Sequence, residues 1–141
     1  MQKENFIGTW KLISYKITRF GANEEIYPYG PDAKGYLIYT PSHVSVHIMH
    51  SVRHSCISQD FKGAKMDEKI EMADNYGGYV GIYEIRQNTV VHYPEISMYH
   101  NFTLTPQVRY FQLNENQLIL ECPHGEDGRS HLIWQRIDER V

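Results

Sequence analysis

The sequence is poor in the features that mark several protein classes. Cysteine is nearly absent: Cys56 and Cys122 are too few for a disulfide framework and too far apart for CxxC chemistry, so free thiols are the expected state. Positive charge is not in excess, because 14 Lys and Arg against 17 Asp and Glu give a formal net charge of −3. The basic footprint that draws nucleic acid or anionic membrane is therefore missing, and neither is an expected partner. Apolar runs are short and broken by His, Tyr and Ser, far below the roughly 18 residues a transmembrane helix requires. The opening MQKENFIGTW has one Lys and lacks the apolar stretch of a secretory signal, so a soluble, cytoplasmic protein is the expectation. No internal repeat and no low-complexity tract interrupts the chain.

What remains is 141 residues, the size of one domain spanning 1–141. Aromatic residues make 13% of it, as 11 Tyr, 5 Phe and 2 Trp, joined by 8 His and 5 Met. That mixture suits a cavity with flat apolar walls and a few polar tips.

Short β-rich segments at 8–20, 35–40, 43–51, 79–86, 89–99, 102–113, 117–123 and 130–138 are divided by turn chemistry. Gln87-Asn88, Asn114-Glu115-Asn116 and Gly125-Glu126-Asp127-Gly128 read as hairpin connections. The loop EEIYPYGPDAKG, rich in Pro and Gly, is long enough to lie over a barrel mouth. Between Ala64 and Asn75, Met66, Ile70 and Ala73 recur at helical spacing, which predicts a short amphipathic helix that could plug one end of a barrel. The fold class expected is all-β: an antiparallel up-and-down barrel of eight or nine strands with one short helix near residues 64–75.

Hairpin arithmetic places several polar side chains. With Gln87-Asn88 as a two-residue loop, Arg86 faces Thr89, Tyr83 stands opposite His92 and Gly81 opposite Pro94. Tyr83 and His92 then share a face, either as an acid–base or ligand-orienting pair or as a satisfied cross-strand pair. With Asn114-Glu115-Asn116 as a three-residue loop, Arg109 stands opposite Glu121 and Phe111 opposite Ile119. Arg109 is then either half of an ion pair or a bidentate anchor for a carboxylate or enolate. His43, His47, His50 and His54 would form one zinc-like stripe on a helix, but Val44, Val46 and Ile48 favour a strand, with His47 and His50 on opposite faces. No metal site is expected there, and His47 with Met49 is read as pocket lining. Cys122-Pro123-His124 lacks the partners of a zinc deaminase, and GGYVG lacks those of a phosphate loop.

Gly8-Thr9-Trp10 gives a GxW near the N-terminus, followed by PYGPDAKGYLIYTPSHVSVHIM, Arg53, the short helix, YVGIYEI, VVHYPEIS, Asn101, QVRYFQL and LIWQRI. In that order the segments resemble the lipocalin-like domain family, small intracellular bacterial and fungal members of the calycin superfamily. The chain has Tyr93 where the family tends to have a second His, and Thr103-Leu104 where it tends to have Gly. Fold carries over from such a resemblance better than chemistry. It implies a barrel whose base is closed by Trp10 with a basic side chain of the last strand, Arg136 or a neighbour, laid across it. That contact is worth roughly 0.5–2 kcal/mol.

The leading functional expectation is binding of a small hydrophobic or aromatic molecule inside the barrel. Tyr83, His92, Arg109, Tyr39, His47, Met49, Met98, Asn101 and Phe111 form the candidate ligand-binding set. The alternative, suggested by family members beside secondary-metabolite genes, is a cofactor-independent cyclase, isomerase or dehydratase of a polyketide-like substrate in the same pocket. His92 would then act as acid or base, and Arg109 or Tyr83 would stabilise an enolate. A third possibility is a barrel filled by its own side chains. No cofactor is expected, and the protein is read as a monomer or homodimer.

Overall fold

The computed structural model describes residues 2–137, so the end of the segment expected at 130–138 lies outside the described residues. The chain runs α1 (Gln2–Phe6), β1 (Gly8–Arg19), β2 (Glu24–Ile26), β3 (Lys34–Tyr39), β4 (His43–Met49), α2 (Met66–Asp74), β5 (Tyr76–Ile85), β6 (Thr89–Ser97), β7 (Gln107–Leu113), β8 (Gln117–Pro123) and β9 (Gly128–Arg136). A 3₁₀ turn covers His100–Thr103. Every strand pairing is antiparallel, and β9 returns to pair with β1, which closes an eight-stranded barrel. β2, which lies in the loop expected to be irregular, is the extra strand: it adds to the far end of β1 through Ile17↔Ile26. The expected all-β up-and-down barrel is the observed one.

Alternation along the strands decides what points inward. In β4, Val44, Val46 and Ile48 are buried while His43 and His47 are exposed. The inward residues of one half of the barrel form a core of Phe6, Trp10, Leu37, Tyr39, Val44, Val90, Leu118 and Trp134. Each large apolar side chain buried there contributes roughly 1.5–3 kcal/mol.

The base of the barrel is closed by α1, an element the sequence reading did not foresee. Phe6 is fully buried under the strands, with its ring edge-on to Tyr39 and to Phe111. The Trp10 indole N–H donates to the Phe6 carbonyl at 2.9 Å. Arg136 lays its guanidinium 4.2 Å from the centroid of the Trp10 ring. The same group donates to the carbonyls of Ile7, Asn5 and Glu115 at 2.8, 2.6 and 2.9 Å, so it ties α1, β1 and the β7–β8 turn together. Gly8, at φ +134, admits this approach, since a side chain there would lie 2.8 Å from Arg136 Nη1. α2 is not the plug: it buries no side chain, and Met66 and Ile70 face outward.

Two registers bear on the site. Across β5 and β6, Tyr83 pairs with His92 and Gly81 with Pro94, as hairpin counting predicts. Across β7 and β8, Phe111 pairs with Leu120 and Tyr110 with Glu121, one residue away from the expected register. The reason is the turn. Asn114 N–H donates to the Gln117 carbonyl, and the Asn114 side-chain oxygen accepts from the N–H groups of Asn116 and Gln117. Asn114 is therefore the last paired residue of an Asx-closed two-residue loop and not part of a three-residue one. No helix among the described residues is long and apolar enough to cross a membrane.

Candidate functional site

The half of the barrel away from α1 is hollow. A cavity of about 570 Å³ lies there, with Leu37, Val46, Ile48, Leu120, Leu132 and Trp134 supplying apolar wall. Its rim is formed by Tyr29 from the β2–β3 loop, Phe102 from the 3₁₀ turn, Pro106, and Pro123 with His124 after β8. This volume lies in the range of small-molecule sites.

The polar groups enter from β5, β6 and β7. In β7 the usual pattern is reversed: Val108 and Tyr110 are exposed, while Gln107 and Arg109 take the inward positions with Phe111 and Leu113. A polar pair on the inner face of a strand with apolar residues outside breaks the rule that builds a core, and such breaks concentrate at functional sites. Arg109 makes no ion pair among the described residues; the one hydrogen bond of its side chain goes to the carbonyl of Val108 at 3.1 Å. Its expected partner Glu121 lies on the other face of the sheet and pairs instead with His131, at 2.6 Å, and Arg129, at 3.9 Å. The ion-pair reading of Arg109 is thus overturned by the one-residue change of register.

His92 is buried between two tyrosines. Its Nε2 lies 2.7 Å from the Tyr39 hydroxyl and its Nδ1 lies 2.6 Å from the Tyr79 hydroxyl. Burial, followed by the Arg109 charge, pushes the imidazole pKa down to about 3, so His92 is neutral in the working pH range. The Tyr79 phenol is pushed up to about 12 by burial, with Arg109 pulling the other way. Burial likewise holds Tyr39 well above the usual phenol range and raises Tyr15 and Tyr29. The interior hydroxyls therefore act as neutral hydrogen-bonding groups. Tyr83, although in register with His92, does not bond to it: its hydroxyl donates to the Thr40 carbonyl at 2.6 Å.

The sequence-expected residues divide accordingly. His92 and Arg109 line the cavity together. Tyr39, Tyr83 and Phe111 lie in the core beneath it, Tyr39 reaching the site through His92. His47 and Met49 are corrected: they share a face, but it is the outer one, because Val46 and Ile48 take the inward positions. His47 bonds to the Tyr76 hydroxyl, and Met49 sulfur receives Arg53. Met98 is exposed beyond β6, and Asn101 lies in the exposed 3₁₀ turn with its side-chain amide on the Tyr99 hydroxyl at 3.1 Å, so neither lines the cavity. Phe102, beside Asn101, does so, edge-on to Tyr79. Of the histidine run, His54 reaches Glu71 at 3.1 Å, and no group of three ligands suited to a metal ion occurs among the described residues.

Tyr79 is the residue that sequence reasoning missed. Tyr79, Gly81 and Tyr83 alternate onto one face of β5, so the period of two that placed Tyr83 inward also places Tyr79 there. Counting only the residue directly opposite His92 hid it.

Among curated proteins, none matches the chain. Of solved structures, it is similar to a redesigned beta barrel, at 11% identity and a TM-score of 0.47 over 96% of this chain and 95% of that one. Residues 7–137, nearly the whole sequence, match the family described as the lipocalin-like domain, and the chain belongs to that family.

Proposed function

We propose that the protein binds a small hydrophobic or aromatic molecule in the cavity above His92. The observation that carries this reading is the reversed β7 strand, which turns an unpaired guanidinium, Arg109, toward an apolar-walled space of about 570 Å³. A core filled by its own side chains would present apolar groups at this position, whereas a half-buried guanidinium at the cavity wall presents a charged donor to an incoming molecule. The lipocalin-like barrel is a fold suited to ligand binding in general, and the remaining polar groups at the wall would set ligand orientation.

The enzymatic alternative asks His92 to exchange protons. Both of its nitrogens are engaged by tyrosines and its pKa is lowered to about 3, which favours binding without turnover. Native mass spectrometry of the protein after incubation with an organic extract of small metabolites tests the reading. A discrete adduct, lost on denaturation and absent in a Leu120→Trp variant whose new side chain enters the cavity, is the expected result. A bare protein mass, or an adduct indifferent to Leu120→Trp, would overturn it.

A further inference from the structure

The direction of the two hydrogen bonds at His92 follows from where each tyrosine can send its own proton. A neutral imidazole carries one N–H, so one tyrosine donates to the ring and the other accepts from it. Tyr39 is sealed in the core, and among the described residues its hydroxyl meets no acceptor other than His92 Nε2. If Nε2 carried the proton, the Tyr39 hydrogen would be buried without a partner, a situation native interiors avoid. Tyr79 differs because its side chain lines the cavity, where an incoming oxygen can take its proton. The consistent order is Tyr39 O–H to Nε2, then Nδ1–H to the Tyr79 oxygen, with the Tyr79 O–H left as a donor facing the cavity.

A second donor stands nearby. Among the described residues, Arg109 is the one Lys or Arg that lines the cavity, and no Asp or Glu does. Arg109 lines the same cavity as Tyr79 and His92. The cavity thus offers a directed hydroxyl and a guanidinium without an ion-pair partner, and among the described residues no acid side chain lies on its wall. Two convergent donors recognise an oxygen acceptor, and a guanidinium adds the charge and the planar fork that a carboxylate matches.

Building on the binding reading above, we propose that the ligand is an organic carboxylate, its anionic oxygens held by Arg109 and the Tyr79 hydroxyl and its apolar body against Val46, Leu120 and Leu132. Tyr39 is a positioning residue: it lies beneath the cavity and, through His92, fixes the direction of the Tyr79 proton.

The test is displacement of the neutral fluorophore N-phenyl-1-naphthylamine by naphthalene-2-carboxylate and by naphthalene-2-carboxamide, which share one ring system and differ in charge. In the wild type the carboxylate should bind about tenfold more tightly than the amide, the scale of a charge-assisted hydrogen bond. Arg109→Met should erase the preference, and Tyr39→Phe should reduce it several-fold, in both cases because the carboxylate loses more affinity than the amide. Equal affinity of acid and amide in the wild type, or a preference surviving in Arg109→Met, overturns the proposal and leaves the binding reading standing. Failure of the fluorophore and of both naphthalenes to bind overturns the two together. Long-range proton–nitrogen NMR of the His92 ring supplies a readout that a structural role would not move. Protonation at Nδ1 is expected, and protonation at Nε2 overturns the relay.

Discussion

The Tyr39 hydroxyl lies 2.7 Å from His92 Nε2 and joins β3 to β6 across the barrel interior, past the two strands between them. A bond of this kind reports on closure of the barrel, because neighbouring-strand pairing does not create it. Tyr39→Phe leaves a buried ring nitrogen without its partner and should cost about 1–3 kcal/mol in urea unfolding. Tyr83→Phe removes a bond to the Thr40 carbonyl and should leave the His92 ring signals in place, although Tyr83 is the residue in register with it. A larger change at His92 from Tyr83→Phe than from Tyr39→Phe would contradict the network.

His92 also sets a pH dependence. Its pKa is lowered from 6.5 to about 3 on folding, so between those values the unfolded chain binds a proton that the native one refuses. Stability is therefore fully present above pH 6.5 and falls as pH drops toward 3, by roughly 1 kcal/mol per pH unit well inside the window. Urea midpoints across this range should show a shallower loss in His92→Gln than in the wild type. Parallel profiles would mean that His92 does not carry the effect.

At the base, Arg136 combines a contact with the Trp10 face and hydrogen bonds to three carbonyls. Arg136→Leu should destabilise by about 2–3 kcal/mol, since it removes the cation–π contact and leaves carbonyls at the α1 junction short of donors. Fluorophore affinity should not change, because the cavity lies at the other end. Arg136→Lys should recover only part of the loss, as it restores charge but not the fork.

Gly81 sits opposite the bulge that Glu95 makes in β6, and an added Cβ there would run into the backbone carbonyl of Tyr93. Gly81→Ala should cost about 1–3 kcal/mol in thermal unfolding. Gly21→Ala is the control. Its Cβ would find Asp127 Oδ2 at an ordinary 3.8 Å, and the change should be neutral or stabilise by a few tenths of a kcal/mol.

The strands, their order and the Tyr83–His92 register were legible because alternation and a two-residue hairpin are local signals. The β7–β8 register was not, since whether Asn114 ends a strand or begins a loop depends on which N–H groups its side chain captures. That single residue decides whether Arg109 is paired with Glu121 or free. The bonds from His92 to Tyr39 and Tyr79 were hidden for another reason: they depend on how strands curve toward one another across the interior, which no pairing rule states. Asn101 and Met98 fell outside the cavity because the chain leaves the sheet after Ser97 and enters a 3₁₀ turn, so the segment expected as a strand from residue 102 begins only at Gln107. α1 went unnoticed because five residues carry too little periodicity to announce a helix.

The most direct test of the central claim is a fluorescence titration of the wild type and Leu120→Trp with N-phenyl-1-naphthylamine, both shown to be folded by circular dichroism. Saturable one-to-one binding by the wild type, lost in the variant that fills the cavity, is the predicted result. No saturable binding, or equal binding by the two proteins, would contradict the assignment of this cavity as a ligand site.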